Sequence, residues 1–125
     1  MKEFKFIIEK TKTGYSCFGE AHPVFTTGKT IHELQNNALE AVNLYIEENE
    51  LPLTLDNITF EIDFKQFFEF YKVINAKHLA ERINMNESLL SQYVTGVKKP
   101  SRKQVDKIVD GLNDIGKELM ELTLV

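Results

Sequence analysis

From Phe4 to Glu9 the chain alternates, with Phe4, Phe6 and Ile8 on one side of an extended strand and Lys5, Ile7 and Glu9 on the other. That is the period of a strand with one buried face. Lys10 to Gly14 supplies a turn in which Gly14 can take a positive φ, and Tyr15 to Gly19 is strand-like again, which predicts a hairpin. A loop containing His22 and Pro23 leads to a third strand over Val24 to Thr27. After Gly28 the period becomes helical: Ile31, Leu34, Ala38, Ala41, Val42 and Tyr45 recur on one face, while Asn37, Glu40, Asn43, Glu47 and Glu48 are expected to face water. Thr30 and Glu33 make a T-x-x-E capping box, each side chain satisfying a backbone amide left unpaired at the helix start. Pro52 ends this helix, and Ile58, Phe60 and Ile62 alternate with Thr59, Glu61 and Asp63 as a fourth strand. The predicted fold of this half is a small antiparallel-type sheet with one packed helix, in the order strand, strand, strand, helix, strand.

From residue 64 onward the period is helical throughout. Phe64, Phe67, Phe68 and Tyr71 stand at i, i+3, i+4 and i+7, so an amphipathic helix follows the fourth strand with no flexible linker; a stripe of this spacing is read as core rather than as a platform for stacking bases. Asn75 caps the next helix, with Ile74 and Leu79 placed as a hydrophobic staple, and Leu79, Ala80 and Ile83 form its buried side. Ala80 is small where a second helix must cross, and Asn84 sits where the turn needs a left-handed residue. Asn86 caps a further helix that ends at Gly96, with Met85 stapled to Leu90. After the basic loop Val97 to Pro100, Ser101 and Gln104 form another capping box before a helix carrying Val105, Ile108, Val109, Leu112, Ile115 and Leu119. The chain is therefore expected to be α+β, with a mixed domain over residues 1–63 and an all-α domain over residues 64–125.

With 125 residues, 42% of them hydrophobic, and nine Phe, the chain can fill a core. The apolar runs are too short for a membrane span, and the residues after Met1 do not form a signal peptide, so a cytoplasmic protein with no membrane partner is expected. Cys17 is the only cysteine, which excludes an internal disulfide and suits a buried hydrophobe. His22, His32 and His78 have no metal-ligand spacing with one another or with Cys17, and neither a metal site nor a cofactor is expected. The formal net charge of −4 is unevenly spread: residues 1–63 carry 5 basic and 11 acidic side chains, whereas Lys72 to Lys107 carries 8 basic and 3 acidic. An acidic front and a locally basic back point to two tasks.

Phe6 to Glu9, Gly14-Tyr15-Ser16, Thr27 to Thr30 and the helix Glu33 to Glu48 resemble, in type and in order, the N-terminal domain of the HicB antitoxin family over roughly the first half of the chain. The resemblance implies a partial RNase H-like fold without nuclease activity, used to mask HicA, a small messenger-RNA-cleaving toxin. One loop departs from the family, whose usual Pro-Asp-Leu-Pro-Gly-Cys is replaced here by Gly19 to Pro23. A working nuclease of RNase H type would need carboxylates holding two divalent metals about 3.5 to 4 Å apart. Glu9, Glu61 and Asp63 are candidates by type, but they stand at outward positions of strands whose other face is apolar, so no catalytic residue and no enzyme is expected.

Leu79-Ala80, Asn84-Met85-Asn86, Leu90-Ser91, Gly96 and Lys98 to Ser101 resemble the Cro/repressor class of helix-turn-helix proteins over about forty residues. In that geometry the second helix enters the major groove N-terminus first. Its outward residues Glu87, Ser88, Gln92 and Ser91, with Thr95 behind them, are the candidate base readers, because Gln pairs bidentately with adenine, Glu accepts from cytosine and Ser is adaptable. Asn75, Lys98, Lys99, Arg102 and Lys103 are the candidate phosphate contacts. The class often has a phosphate-binding Gln after the first cap, where this chain has Ala76. The apolar end, Leu119 to Val125, is expected to help form a homodimer or higher even oligomer that reads paired half-sites. Together these expectations describe an antitoxin that neutralises a HicA-like toxin and represses its own operon on double-stranded operator DNA. The competing expectation is a stand-alone helix-turn-helix regulator whose N-terminal domain senses a ligand or oligomerises.

Overall fold

A computed structural model describes residues 4–46 and 51–124 of the chain. The outward Glu47 and Glu48 expected above lie outside the described residues, as does Val125. The chain divides into two compact units, Met1–Phe70 and Tyr71–Val125. The molecule is α+β, with a four-stranded mixed sheet and five α-helices among the described residues.

The first unit contains β1 (Phe4–Thr11), β2 (Gly14–Gly19), β3 (Phe25–Gly28), α1 (Ile31–Tyr45), a 3₁₀ turn (Leu55–Asn57), β4 (Ile58–Ile62) and α2 (Phe64–Phe70). β1 and β2 form the hairpin that the alternation predicts, with Ile8 opposite Cys17, and Gly14 takes φ 154 at its turn. An added Cβ there would lie 2.3 Å from the Gly28 carbonyl oxygen, so the turn is closed to any side chain. Strand order is β3-β2-β1-β4.

The sheet is not of the antiparallel type expected. β4 pairs parallel with β1, Phe6 opposite Phe60 and Ile8 opposite Ile62. The reason is connectivity: two antiparallel turns bring β3 back into the direction of β1, and a helical crossover from β3 then delivers β4 in that same direction.

α1 begins where Thr30 Oγ1 accepts the Glu33 amide at 3.1 Å. Its buried Leu34, Ala38 and Val42 pack on Phe4, Phe6, Ile8, Cys17, Val24 and Ile58 as one core. Burying a side chain as large as Leu or Phe contributes about 1.5–3 kcal/mol each, so this contact supplies much of the first unit's stability. His22 rests its ring on Phe4 at a centroid distance of 4.5 Å, with Tyr45 at 5.6 Å.

The boundary between units falls at Phe70, seven residues after the 63/64 division expected from sequence, because α2 is fastened to the sheet. The Asp63 amide donates to the Ile8 carbonyl at 3.0 Å, and the Gln66 side chain accepts from the Lys10 amide and donates to the Lys10 carbonyl, both at 2.8 Å. Gln66 thus takes the place that a longer β4 would fill beside β1. Phe64 and Phe68 are buried, as the aromatic stripe predicts.

The second unit contains α3 (Ala76–Arg82), α4 (Glu87–Val94) and α5 (Arg102–Met120). No helix among the described residues is long and apolar enough to cross a membrane.

Burial in the α1-facing core pushes the Cys17 thiol from its ordinary 9.0 up to about 11. Between about pH 9 and 11 the unfolded chain therefore releases a proton that the folded chain keeps, and stability declines as pH rises through that window. Urea midpoints measured from pH 8 to 10.5 are expected to fall more steeply for the wild type than for Cys17→Ala. Parallel declines would remove Cys17 from the alkaline limb.

Candidate nucleic-acid interface

α3 and α4 are joined by four residues, and each step of that turn has a local cause. Asn75 Oδ1 accepts the His78 amide at 3.0 Å, which starts α3. The Ile83 amide returns to the Leu79 carbonyl at 3.0 Å, and the Met85 amide to the Ala80 carbonyl at 2.9 Å, closing the end of the helix. Asn84 takes φ 55, the only non-glycine residue with a positive φ among those described, which turns the chain out of α3. Met85 is buried, and Asn86 Oδ1 then accepts the Leu89 amide at 3.1 Å to start α4. Leu79, Ala80, Met85, Leu90, Tyr93 and Ile108 are the buried apolar residues of this unit.

With Leu90 and Tyr93 turned inward, the opposite face of α4 is exposed. Glu87, Ser88, Ser91 and Gln92 all lie on that face, at i, i+1, i+4 and i+5, so the four candidate base readers are brought together on one surface. Thr95 differs from them: its hydroxyl donates to the Ser91 carbonyl at 2.8 Å and is folded back on its own helix.

Gly96, at φ 78, ends α4, and the Lys98 amide donates to the Gln92 carbonyl at 3.1 Å, holding the basic loop against the end of that helix. Lys98 and Lys99 are exposed in this loop, and Arg102 and Lys103 are exposed in the first turn of α5. Ser101 Oγ accepts the Gln104 amide at 3.3 Å to start α5. Arg102 Nε pairs with Asp106 at 3.2 Å along the same helix, which positions its guanidinium while leaving it solvated. Along α5, Arg102, Lys103 and Lys107, with Asp106 among them, stand at the end that adjoins the Lys98–Lys99 loop, and Asp110, Asp114 and Glu118, with Lys117 among them, lie beyond. Asn75 stands at the start of α3, where its side-chain oxygen is engaged as the cap.

Three groups that hold the unit together were not anticipated from sequence. Gly111 is buried on α5, and an added Cβ would come within 2.2 Å of Ile83 Cγ2, so the glycine seats the turn against the helix. Its signal was a glycine three residues after Ile108 on an otherwise apolar helix face, where a small residue marks a close neighbour. Lys107 Nζ donates to the Asn84 carbonyl at 2.9 Å, and Arg82 on α3 pairs with Glu118 on α5. These pairs join residues 23 and 36 positions apart, and no local spacing announces them.

Among the described residues no group of three or more His, Cys, Asp or Glu side chains is placed to hold a metal. Of the three carboxylates considered for nuclease chemistry, Glu61 pairs with Lys5 at 3.1 Å, Asp63 Oδ1 accepts the Gln66 amide at 3.1 Å, and Glu9 lies on β1 opposite Ser16. No family model, curated protein or solved structure matches the chain.

Asn84→Val is expected to cost about 1–3 kcal/mol, because a β-branched residue is strained at positive φ, whereas Asn84→Gly should stay within about 0.5 kcal/mol of the wild type. Urea unfolding followed by circular dichroism separates the two. Equal stability of both variants would mean that the turn does not depend on a left-handed residue.

Proposed function

We propose that the second unit is a helix-turn-helix domain that reads operator DNA, and that the first is a partial RNase H-like domain that neutralises a HicA-like, RNA-cleaving toxin. The observation that carries the DNA reading is the exposed row Glu87, Ser88, Ser91 and Gln92 on α4 beside the cationic Lys98, Lys99, Arg102 and Lys103. A face rich in hydrogen-bonding groups next to a cluster of cations has the chemistry of base-edge recognition supported by phosphate contacts. The sharp turn at Asn84 and the caps at Asn75 and Asn86 support the docking geometry, in which α4 enters the major groove by its N-terminal residues.

For the first unit the support is threefold. Its strand, strand, strand, helix, strand order accompanies the motifs Phe6 to Glu9, Gly14 to Ser16 and Thr27 to Thr30 that resemble HicB. Glu61 and Asp63 are engaged by Lys5 and by the start of α2, which favours a domain that binds rather than cleaves. Residues 1–70 carry 6 basic and 12 acidic side chains, so a basic toxin would be drawn to this unit by long-range attraction.

Repression by such a domain calls for two copies on paired half-sites about 10 base pairs apart or a multiple of that. The end of the chain is suited to that pairing, since Leu119, Met120, Leu122 and Leu124 are 65–94% exposed. The protein is read as acting in the cytoplasm, as an even oligomer, without enzymatic activity of its own. A stand-alone regulator is the competing account, and it needs no partner for the acidic unit.

Binding to a DNA fragment from its own promoter tests the reading. Gln92→Ala should weaken binding by about 1–3 kcal/mol per half-site and relax one base preference; equal loss on scrambled DNA would refute the base contact. Lys98→Ala should weaken binding to every sequence and lower the salt slope by about one unit, and an unchanged slope would remove it from the phosphate contacts. A chain ending at Lys117 should lose its dimer in light scattering; a fully dimeric truncated chain would exclude the end segment.

A further inference from the structure

The sheet has a second face, and its residues do not belong to the core under α1. Alternation along β1 and β2 turns Ile7 and Phe18 away from Phe6, Ile8 and Cys17, and the register sets them side by side: Ile7 stands opposite Phe18, and Phe18 opposite Phe25 on β3. The result is an apolar row across three strands. Phe25 is 65% exposed and Phe18 40% exposed, a high solvent exposure for two phenylalanines that face each other as the last pair of the β2–β3 ladder.

Acidic groups flank this row. Glu61 on β4 stands opposite Ile7, Glu9 lies two residues along β1 on the same face, and Glu20 follows two residues after Phe18. The one basic residue of β1 on this face, Lys5, is shared between Glu61 at 3.1 Å and Glu20 at 3.5 Å. The face therefore combines aromatic anchors with a net negative surround. The adjoining edge is a poorer site for an added strand, because β3 has only four residues and the Thr27 carbonyl already accepts Asn37 Nδ2 at 2.8 Å.

We propose that the row Ile7, Phe18 and Phe25, with Glu9, Glu20 and Glu61 around it, is the surface on which the first unit holds a small basic protein; this rests on the antitoxin reading and names its contact. Charge selects the occupant. A second copy of this chain would bring two acidic faces together, and nucleic acid would be repelled, whereas a basic protein gains attraction on approach and buries the two rings on arrival. Phenylalanine on a strand also loses little side-chain freedom on binding, which suits it to an anchor.

The test uses the full chain and, as probe, the small basic protein encoded beside its gene, with affinity measured by titration calorimetry and association rates measured at several salt concentrations. Phe25→Ser and Phe18→Ser are each expected to weaken binding at least about ten-fold, with Leu44→Ser, an exposed α1 position, as an unaffected control. Circular dichroism and melting confirm that each variant folds. Glu20→Lys, which leaves the apolar row intact, should slow association and flatten its salt dependence. If the wild type binds the probe and both Phe variants bind as tightly, this face is overturned while the antitoxin reading stands. If the wild type does not bind the probe at all, the antitoxin reading fails and this inference with it. If Phe25→Ser instead reduces the oligomer size in light scattering and leaves probe binding unchanged, the face belongs to a second copy and the proposal is overturned.

Discussion

β1 is hydrogen-bonded along both of its edges, to β2 on one side and β4 on the other, and the first unit is built outward from that double pairing. A central strand must satisfy both ladders and bury one complete face, so its register admits no slip: moving by one residue would turn Phe4, Phe6 and Ile8 outward and Lys5, Ile7 and Glu9 into the core. The parallel partner follows from the crossover through α1, and α1 in turn lies over the apolar face that this strand presents. The same alternation that fills the core necessarily places Ile7 and its neighbours on the far face. Core and candidate contact surface are thus two consequences of one strand's periodicity.

The second unit depends on a different constraint, the close approach of α5 to the turn between α3 and α4. Gly111 leaves room for Ile83, Lys107 holds the Asn84 carbonyl, and Arg82 meets Glu118. Together they fix a turn that contains a left-handed asparagine and so has little latitude of its own. With the turn held and Leu90 and Tyr93 buried, α4 has one face left to present, and its exposed Glu87, Ser88, Ser91 and Gln92 follow from that geometry. In the proposed reading of DNA this rigidity would matter, because side chains that contact base edges must arrive at fixed positions.

Local signals were legible in the sequence because their causes are local. Caps at Thr30, Asn75, Asn86 and Ser101 each lie three residues from the amide they accept, and the left-handed residues Asn84 and Gly96 stand within turns bounded by clear helical periods. The direction of β4 was not legible in the same way, since alternation of Ile58, Phe60 and Ile62 marks a half-buried strand without saying which way its neighbour runs. Gln66 was equally silent: nothing in its surroundings forecasts that its amide will complete the ladder of a strand 56 residues earlier and draw α2 into the first unit. That Glu87, Ser88, Ser91 and Gln92 share one exposed helix face was legible from their spacing, whereas the engagement of Thr95 with its own helix was not. What the residues do chemically rests on type and exposure; the identity of a toxin partner rests on the HicB-like motifs and on the opposite charges of the two units.

The claim that joins these parts is that one chain binds a basic protein with its acidic unit while its other unit binds DNA. The most direct measurement is recovery of the tagged chain from its own host at moderate salt, with intact-mass analysis of everything that accompanies it. The account predicts one small basic protein at close to one-to-one stoichiometry, encoded next to this chain. Recovery of the chain with DNA fragments alone, from cells shown to express the neighbouring reading frames, would contradict it and leave a regulator acting by itself.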